Sequence, residues 1–214
     1  MHLPHIYNLP NTAPFVKWNF YISRNSVQYR SNYFWESMEQ NPALTAFITC
    51  FIFYFMFKAV FPGSFDPPTL GHLNIIERAS AIFDEVAVVV AENRQKKYLF
   101  SADERLFLVK KMVESRENVH CYIWDSLIVD FMKKENIRLL IRGVRGMDDF
   151  SHEFELSMMN KALYPHIETL FMTTDPKYIV LRSSSIKELA SFHGDVSLMV
   201  PPVVVEALNK KFIG

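Results

Sequence analysis

Ten consecutive residues concentrate groups able to handle phosphate: Gly63-Ser64-Phe65-Asp66-Pro67-Pro68-Thr69-Leu70-Gly71-His72. Gly63 permits a tight backbone turn, and Ser64 offers a hydroxyl and an N–H directly after an apolar run. Gly71 and His72 open a stretch with helical spacing through Leu73, Ile75, Ile76, Ala79 and Phe83. The free N–H groups and the dipole of a helix N-terminus favour anions. Without a Cβ at position 71 a phosphate chain can approach the backbone closely, and His72 can give it a proton or a hydrogen bond. Three further groups have the same bias. Asn93-Arg94-Gln95-Lys96-Lys97-Tyr98 follows a second apolar run. Ile141-Arg142-Gly143-Val144-Arg145-Gly146, ahead of Asp149, His152 and Glu153, supplies two permanently charged forks suited to a triphosphate. Arg182-Ser183-Ser184-Ser185-Ile186-Lys187-Glu188 enters another helical stretch. Each group also has a plainer reading: solvated lysines at 96 and 97, arginines paired with Asp148 and Asp149, and serines that only cap a helix.

These groups need a scaffold that brings them together. Residues 58–62 form a short apolar run, and 85–91 (EVAVVVA) is a continuous run rich in β-branched residues, as in a strand covered on both faces of a parallel sheet. Ser101 and Glu104 form a capping box before Leu106, Leu108, Val109, Met112 and Val113. Residues 120–124 read as a strand, 127–134 as a helix and 137–141 as a strand, so that Arg142 and Arg145 follow a strand end. Residues 150–163 read as a helix, 169–173 as a strand and 184–192 as a helix stopped by Gly194. Pro201 and Pro202 open the last helix. Strands alternating with helices predict a doubly wound parallel α/β sheet with right-handed crossovers, Rossmann-like, with ligands beyond the carboxyl ends of the strands.

Composition narrows the function classes. The 214 residues carry 23 Lys+Arg against 23 Asp+Glu, so the broad basic footprint of a nucleic-acid or anionic-membrane binder is missing. Cys50 and Cys121 are too few for a disulfide framework or a zinc site; both read as buried thiols in a reducing compartment. A boundary falls near Met56. Residues 1–55 hold 14 of the 31 aromatics, 5 of the 46 charged residues and no glycine. Their most hydrophobic stretch, 43–57, is shorter than the roughly 20 residues of a spanning helix, and it lies too far from the N-terminus for an ordinary signal peptide. Residues 1–55 read as an extension, disordered or an upstream artefact with initiation at Met56, as a real appended segment, or as a short membrane anchor. Residues 56–214 read as the catalytic domain.

The segment ending Thr69-Leu70-Gly71-His72 resembles the TxGH form of the nucleotidyltransferase signature. With the later blocks, residues 56–212 resemble the phosphopantetheine adenylyltransferase family of coenzyme A synthesis. Related cytidylyltransferases and mononucleotide adenylyltransferases usually carry His where this chain has Thr69. The resemblance implies adenylyl transfer from ATP, with Mg²⁺, to 4′-phosphopantetheine, giving dephospho-coenzyme A and pyrophosphate. It implies a cytoplasmic homohexamer, with no nucleic acid and no membrane as partner. Residue by residue it implies a catalytic His72 and an ATP site of Ser64, Phe65, His72, Gly143, Val144, Arg145, Glu153, Ser183 and Ser184. The acceptor site would comprise Ser64, Lys96, Leu127, Ile128 and Arg142. His152 stands where the family commonly has Tyr, and Arg182 where it has Ser. The rival readings are a nucleotidyltransferase for CTP or a mononucleotide, and a non-catalytic coenzyme A or nucleotide sensor.

Overall fold

A computed structural model describes residues 22–23, 26–27, 57–93 and 95–212. The chain divides into two units, Met1–Phe53 and Tyr54–Gly214. In the first, β1 (Ile22–Ser23) pairs antiparallel with β2 (Ser26–Val27). The other readings made for residues 1–55, and those for Cys50 and Arg94, lie outside the described residues.

In the second unit a five-stranded parallel sheet is built from β3 (Lys58–Gly63), β4 (Glu85–Ala91), β5 (Val119–Trp124), β6 (Leu139–Val144) and β7 (Glu168–Thr173), in the order β5-β4-β3-β6-β7. The helices are α1 (Leu70–Ser80), α2 (Ala102–Met112), α3 (Ile128–Lys134), α4 (Met147–Leu163), α5 (Ser183–Ser191) and α6 (Pro202–Phe212). This is the doubly wound α/β fold that the alternation of apolar runs predicts.

The β-branched run of β4 lies inside the sheet, between β5 and β3, with both its faces covered. Val86, Val88 and Val90 pack with Ile75, Ile76 and Val109 on one side, and Ala87 and Val89 pack with Val129, Phe131 and Met132 on the other. Each such fully buried side chain contributes on the order of 1.5–3 kcal/mol. A third apolar cluster joins Phe100 and Leu108 to Ile186 on α5 and Val204 and Leu208 on α6, which seats α5 against the sheet unit.

Pairing locates the crevice. β3 pairs with β4 along its whole length, and β6 with β7 along its whole length. Between β3 and β6 the pairing is limited to Ala59↔Leu139 and Val60↔Leu140. Beyond those residues the two central strands part, at the point where the strand order reverses.

Three local readings are corrected. Strand β6 runs to Val144, so Arg142, Gly143 and Val144 lie within it; its pairing with β7 continues past the polar residues that seemed to end it. Gly194 is not the left-handed residue after α5. His193 is, at φ 60, and Gly194 N–H closes the turn onto Leu189 O at 2.9 Å, with His193 N–H on Ala190 O at 3.0 Å. Cys121 is half-buried rather than buried, and desolvation pushes its thiol up to about 11.

Candidate active site

Between the parted ends of β3 and β6 opens a cavity of about 420 Å³, ordinary for a small-molecule site. Ser64, Phe65, Thr69, Gly71 and His72 line it from the β3–α1 segment. Lys96 comes from the loop after β4, Arg142, Gly143 and Arg145 from β6 and just beyond it, Glu153 from α4, and Ser183 and Ser184 from α5. All four groups of the sequence reading therefore meet in one place. Three predicted site residues do not line it. Val144, two residues beyond Arg142 and on the same face of β6, is buried at the strand's end and does not reach the cavity. Leu127, the exposed N-cap of α3, and Ile128, packed on the core, sit after β5 at the same end of the sheet.

The start of α1 accounts for its own donors. Thr69, the N-cap, gives its N–H to His72 Nδ1 at 3.0 Å, and its Oγ1 accepts from His72 N–H at 3.3 Å, a capping box with histidine in the usual place of Glu or Gln. Leu70 N–H goes to Met199 O at 3.0 Å. Of the four N–H groups a helix start leaves open, Gly71 N–H alone takes no partner among the described residues, and Gly71 lines the cavity. A Cβ at position 71 would meet Thr69 Oγ1 at 3.4 Å and Tyr178 Cβ at 3.7 Å, which is ordinary contact. The protein around it therefore has room for alanine, and any demand for glycine comes from the open, ligand side.

The same bond fixes the chemistry of His72. A backbone N–H can only donate, so Nδ1 carries a lone pair and the neutral ring holds its proton on Nε2. Burial, with the positive charge of Arg145, lowers the imidazole from 6.5 to about 4. His72 is thus a neutral donor at physiological pH. The Phe65 ring lies against it, centroids 5.0 Å apart. Phe65 itself sits at φ 49 and is 1% exposed. Its ring passes so close to Gly63 that a Cβ there would stand 2.9 Å from Phe65 Cζ. Gly63 thus serves this close approach as well as the turn.

Helix α5 supplies a second open N-terminus. Its N-cap is Arg182, which makes no side-chain capping bond. The serines do not cap it: Ser183 Oγ donates to Pro67 O at 2.9 Å, tying α5 to the phosphate-type loop. The N–H groups of Ser183, Ser184 and Ser185 take no partner among the described residues. Two helix starts, α1 and α5, therefore face one cavity with unsatisfied donors.

The arginines are held from α4. Arg142 donates from Nε to Glu153 Oε2 at 2.5 Å and from Nη2 to Glu153 Oε1 at 2.6 Å. Arg145 donates from Nε to Asp149 Oδ2 at 2.7 Å and from Nη1 to Leu181 O at 3.3 Å. Desolvation pushes the Asp149 carboxyl up, but the hydrogen bond and charge of Arg145, with Arg182 nearby, hold it below its usual value. The arginine–Asp149 pairing that seemed a rival to function coexists with a place in the cavity.

Two buried polar residues escaped the sequence reading. Asp66, 4% exposed, accepts from Leu99 N, Phe100 N and Lys187 Nζ, the last at 2.6 Å, and so clamps the loop between β3 and α1 to α5. Arg105, fully buried on α2, donates to Ser64 O at 2.8 Å, Ala91 O at 3.2 Å and Glu92 Oε1 at 2.7 Å, under the Tyr98 ring. It joins the Ser64 backbone to the root of the loop that carries Lys96. The signal was present: Arg105 shares a helical stripe with Leu108, Val109 and Met112.

Residues 60–189 match the cytidylyltransferase-like family. Phosphopantetheine adenylyltransferase of Clostridium tetani is 50% identical over 153 residues, 72% of this chain and 96% of that protein. The enzymes of that name from Dictyoglomus thermophilum and Heliobacterium modesticaldum are each 47% identical over 157 residues, 73% of this chain and 96% and 94% of theirs. A solved structure named "Putative Nicotinate-nucleotide Adenylyltransferase from Vibrio parahaemolyticus" superposes with a TM-score of 0.51 at 23% identity, over 72% of this chain and 99% of that one, a likeness of fold.

Proposed function

The chain belongs to the phosphopantetheine adenylyltransferase family of cytidylyltransferase-like proteins, and from that premise we propose that it joins the AMP moiety of ATP to 4′-phosphopantetheine, giving dephospho-coenzyme A and pyrophosphate. The observation that carries this reading is the convergence of two open helix N-termini, a neutral histidine and four cations, Lys96, Arg142, Arg145 and Arg182, on one cavity at the sheet's reversal point.

The chemistry asks little covalent help from the protein. A phosphate-monoester oxygen of the acceptor attacks the α-phosphorus of ATP, a P–O bond forms, and the bond from that phosphorus to the β-bridging oxygen breaks, with its electron pair leaving on pyrophosphate. The nucleophile is already anionic near pH 7, so no general base is required. What remains is positioning and stabilisation of charge on the α-phosphoryl and bridging oxygens. A neutral Nε2–H on His72 suits that task. Gly71 N–H, the Ser183 and Ser184 backbone, Ser64, Phe65, Gly143 and Arg145 make up the proposed ATP side. Lys96 and Arg142 make up the acceptor-phosphate side, with Leu127 and Ile128 along the path of the pantetheine arm.

Among the described residues no group of three or more His, Cys, Asp or Glu is placed to hold a metal, and the cavity carboxylate, Glu153, is engaged by Arg142. That donor set fits magnesium arriving on the nucleotide, and the substrate is taken to be MgATP. Self-association is part of the proposal. Phe154, Met158, Met159 and Leu163 leave α4 with exposed apolar surface, and six copies is the number the resemblance implies. The free thiol Cys121 and the use of ATP support a cytoplasmic setting; no described helix is long and apolar enough to cross a membrane.

Pyrophosphate release measured with ATP or CTP against a panel of phosphorylated acceptors tests the reading. Turnover confined to ATP with 4′-phosphopantetheine is expected. Preference for CTP or for a mononucleotide would overturn it.

A further inference from the structure

We propose that Glu153 acts on the acceptor through Arg142: it is a positioning residue that holds the guanidinium by one edge, so that the other edge meets the acceptor phosphate as a preformed fork. The inference rests on the proposed adenylyl transfer and refines it, since the resemblance places Glu153 with ATP.

The donor inventory of Arg142 supports it. A guanidinium has five N–H donors. Glu153 takes the Nε donor and one Nη2 donor, both at short distance. Two donors on Nη1 and one on Nη2 remain, and one from each forms the end-on fork that matches two phosphate oxygens. Among the described residues Arg142 has no other side-chain partner, and it lines the cavity together with Glu153. The pair is only 25% and 16% exposed, so bulk water screens it weakly. An arginine side chain loses considerable rotamer freedom when a ligand fixes it. The carboxylate imposes that order before the ligand arrives.

The local fold makes this a built arrangement. Only Arg145 and Gly146 separate the end of β6 from the start of α4, so α4 rises directly over the strand that bears Arg142. Glu153 and Asp149 lie one turn apart on α4, and each takes the Nε edge of one cavity arginine. The opposing effect is the repulsion between Glu153 and an incoming phosphate. It acts across the intervening guanidinium, whereas the loss of order acts on the contact itself. The two predict opposite signs for removal of the carboxylate charge.

The test is a double-mutant cycle read by calorimetric binding of 4′-phosphopantetheine and, separately, of a non-hydrolysable ATP analogue, on the full chain. Glu153→Gln keeps the shape, removes the charge and sets an amide N–H against a donor. It is expected to weaken acceptor binding about tenfold and to leave the ATP analogue within about twofold. In an Arg142→Ala background the same change is expected to cause no further weakening of acceptor binding, since only the repulsion between carboxylate and phosphate is left for it to relieve. Should Glu153→Gln unfold the chain, Glu153→Asp, which withdraws the carboxylate from Arg142 by one methylene, serves in its place. In the presence of Arg142, tighter or unchanged acceptor binding or weakening confined to the ATP analogue would overturn the inference, as would a weakening of acceptor binding that survives without Arg142. A wild-type chain that forms dephospho-coenzyme A but shows one of those patterns defeats the role of Glu153 alone. A wild-type chain that neither binds 4′-phosphopantetheine nor forms product defeats the proposed function and this inference with it.

Discussion

Replacing His72 with alanine removes a donor, a cap and a buried base at once, and the structure assigns a different observable to each. As a donor, the Nε2–H is aimed at charge that develops during transfer. Loss of one such group costs roughly 10²–10³ in turnover. As a cap, Nδ1 holds Thr69 N–H and the ring supports Phe65, so the variant should lose about 1–2 kcal/mol of stability at pH 7. As a buried base, His72 has its pKa lowered from 6.5 to about 4 in the folded chain. The unfolded chain then binds more protons between those values, so the wild-type protein gains stability as pH rises from 4 to 6.5 and loses it on acidification. The shift corresponds to about 3 kcal/mol over that window, at about 1.4 kcal/mol for each pH unit. The alanine variant lacks this dependence. Its deficit at pH 7 should therefore shrink on acidification, change sign between about pH 6 and pH 5, and be an advantage at pH 4.5. Urea denaturation at pH 7 and pH 4.5, with single-turnover pyrophosphate release at pH 7, measures all three effects. A stability difference independent of pH would refute the neutral, buried imidazole, and turnover within a factor of a few of wild type would refute its role as donor.

Other changes separate the site from its supports. Gly71→Ala should fold as well as wild type or gain up to about 1 kcal/mol, because alanine favours a helix and the protein around it has room. Its KM for ATP should nonetheless rise about tenfold, as loss of close approach to one open N–H would give; thermal melts and initial rates check both halves. Asp66→Ala strands Lys187 and two backbone N–H groups, and a loss of about 3 kcal/mol in denaturant unfolding is expected. Arg105→Met fills much of the same volume but leaves Ser64 O and Ala91 O without their donor. It should destabilise the fold by about 2 kcal/mol and raise the KM of both substrates, because Arg105 ties the Ser64 backbone to the loop of Lys96.

The middle of the sheet was legible because β3 and β4 are apolar runs covered on both faces, as EVAVVVA is on β4, and because Ser101 and Glu104 mark a helix start by a standard exchange of hydrogen bonds. The site was legible as motifs placed after strands. What escaped shares one physical feature, a polar side chain doing something other than its commonest task. Histidine in the capping box at Thr69 is invisible to a rule written for Glu and Gln. The serines before Ile186 look like caps, yet Ser183 reaches Pro67 O and leaves the helix start open. Arg105 drew no reading of its own, although it lies on the apolar stripe of α2 and is fully buried. The end of β6 was placed early because Arg142 and Gly143 interrupt an apolar run, while pairing with β7 continues through Val144. Glu153 lies 11 residues from Arg142, and Leu99, Phe100 and Lys187 lie 33, 34 and 121 residues from Asp66, and no local pattern encodes these pairings.

The central claim is that both substrates occupy one cavity together and the adenylyl group passes directly between them. ATP bearing a single sulfur-defined configuration at the α-phosphorus, turned over with 4′-phosphopantetheine, tests this in one measurement. Direct in-line displacement predicts product inverted at phosphorus. Retention would require an enzyme-bound adenylyl intermediate and would contradict the account.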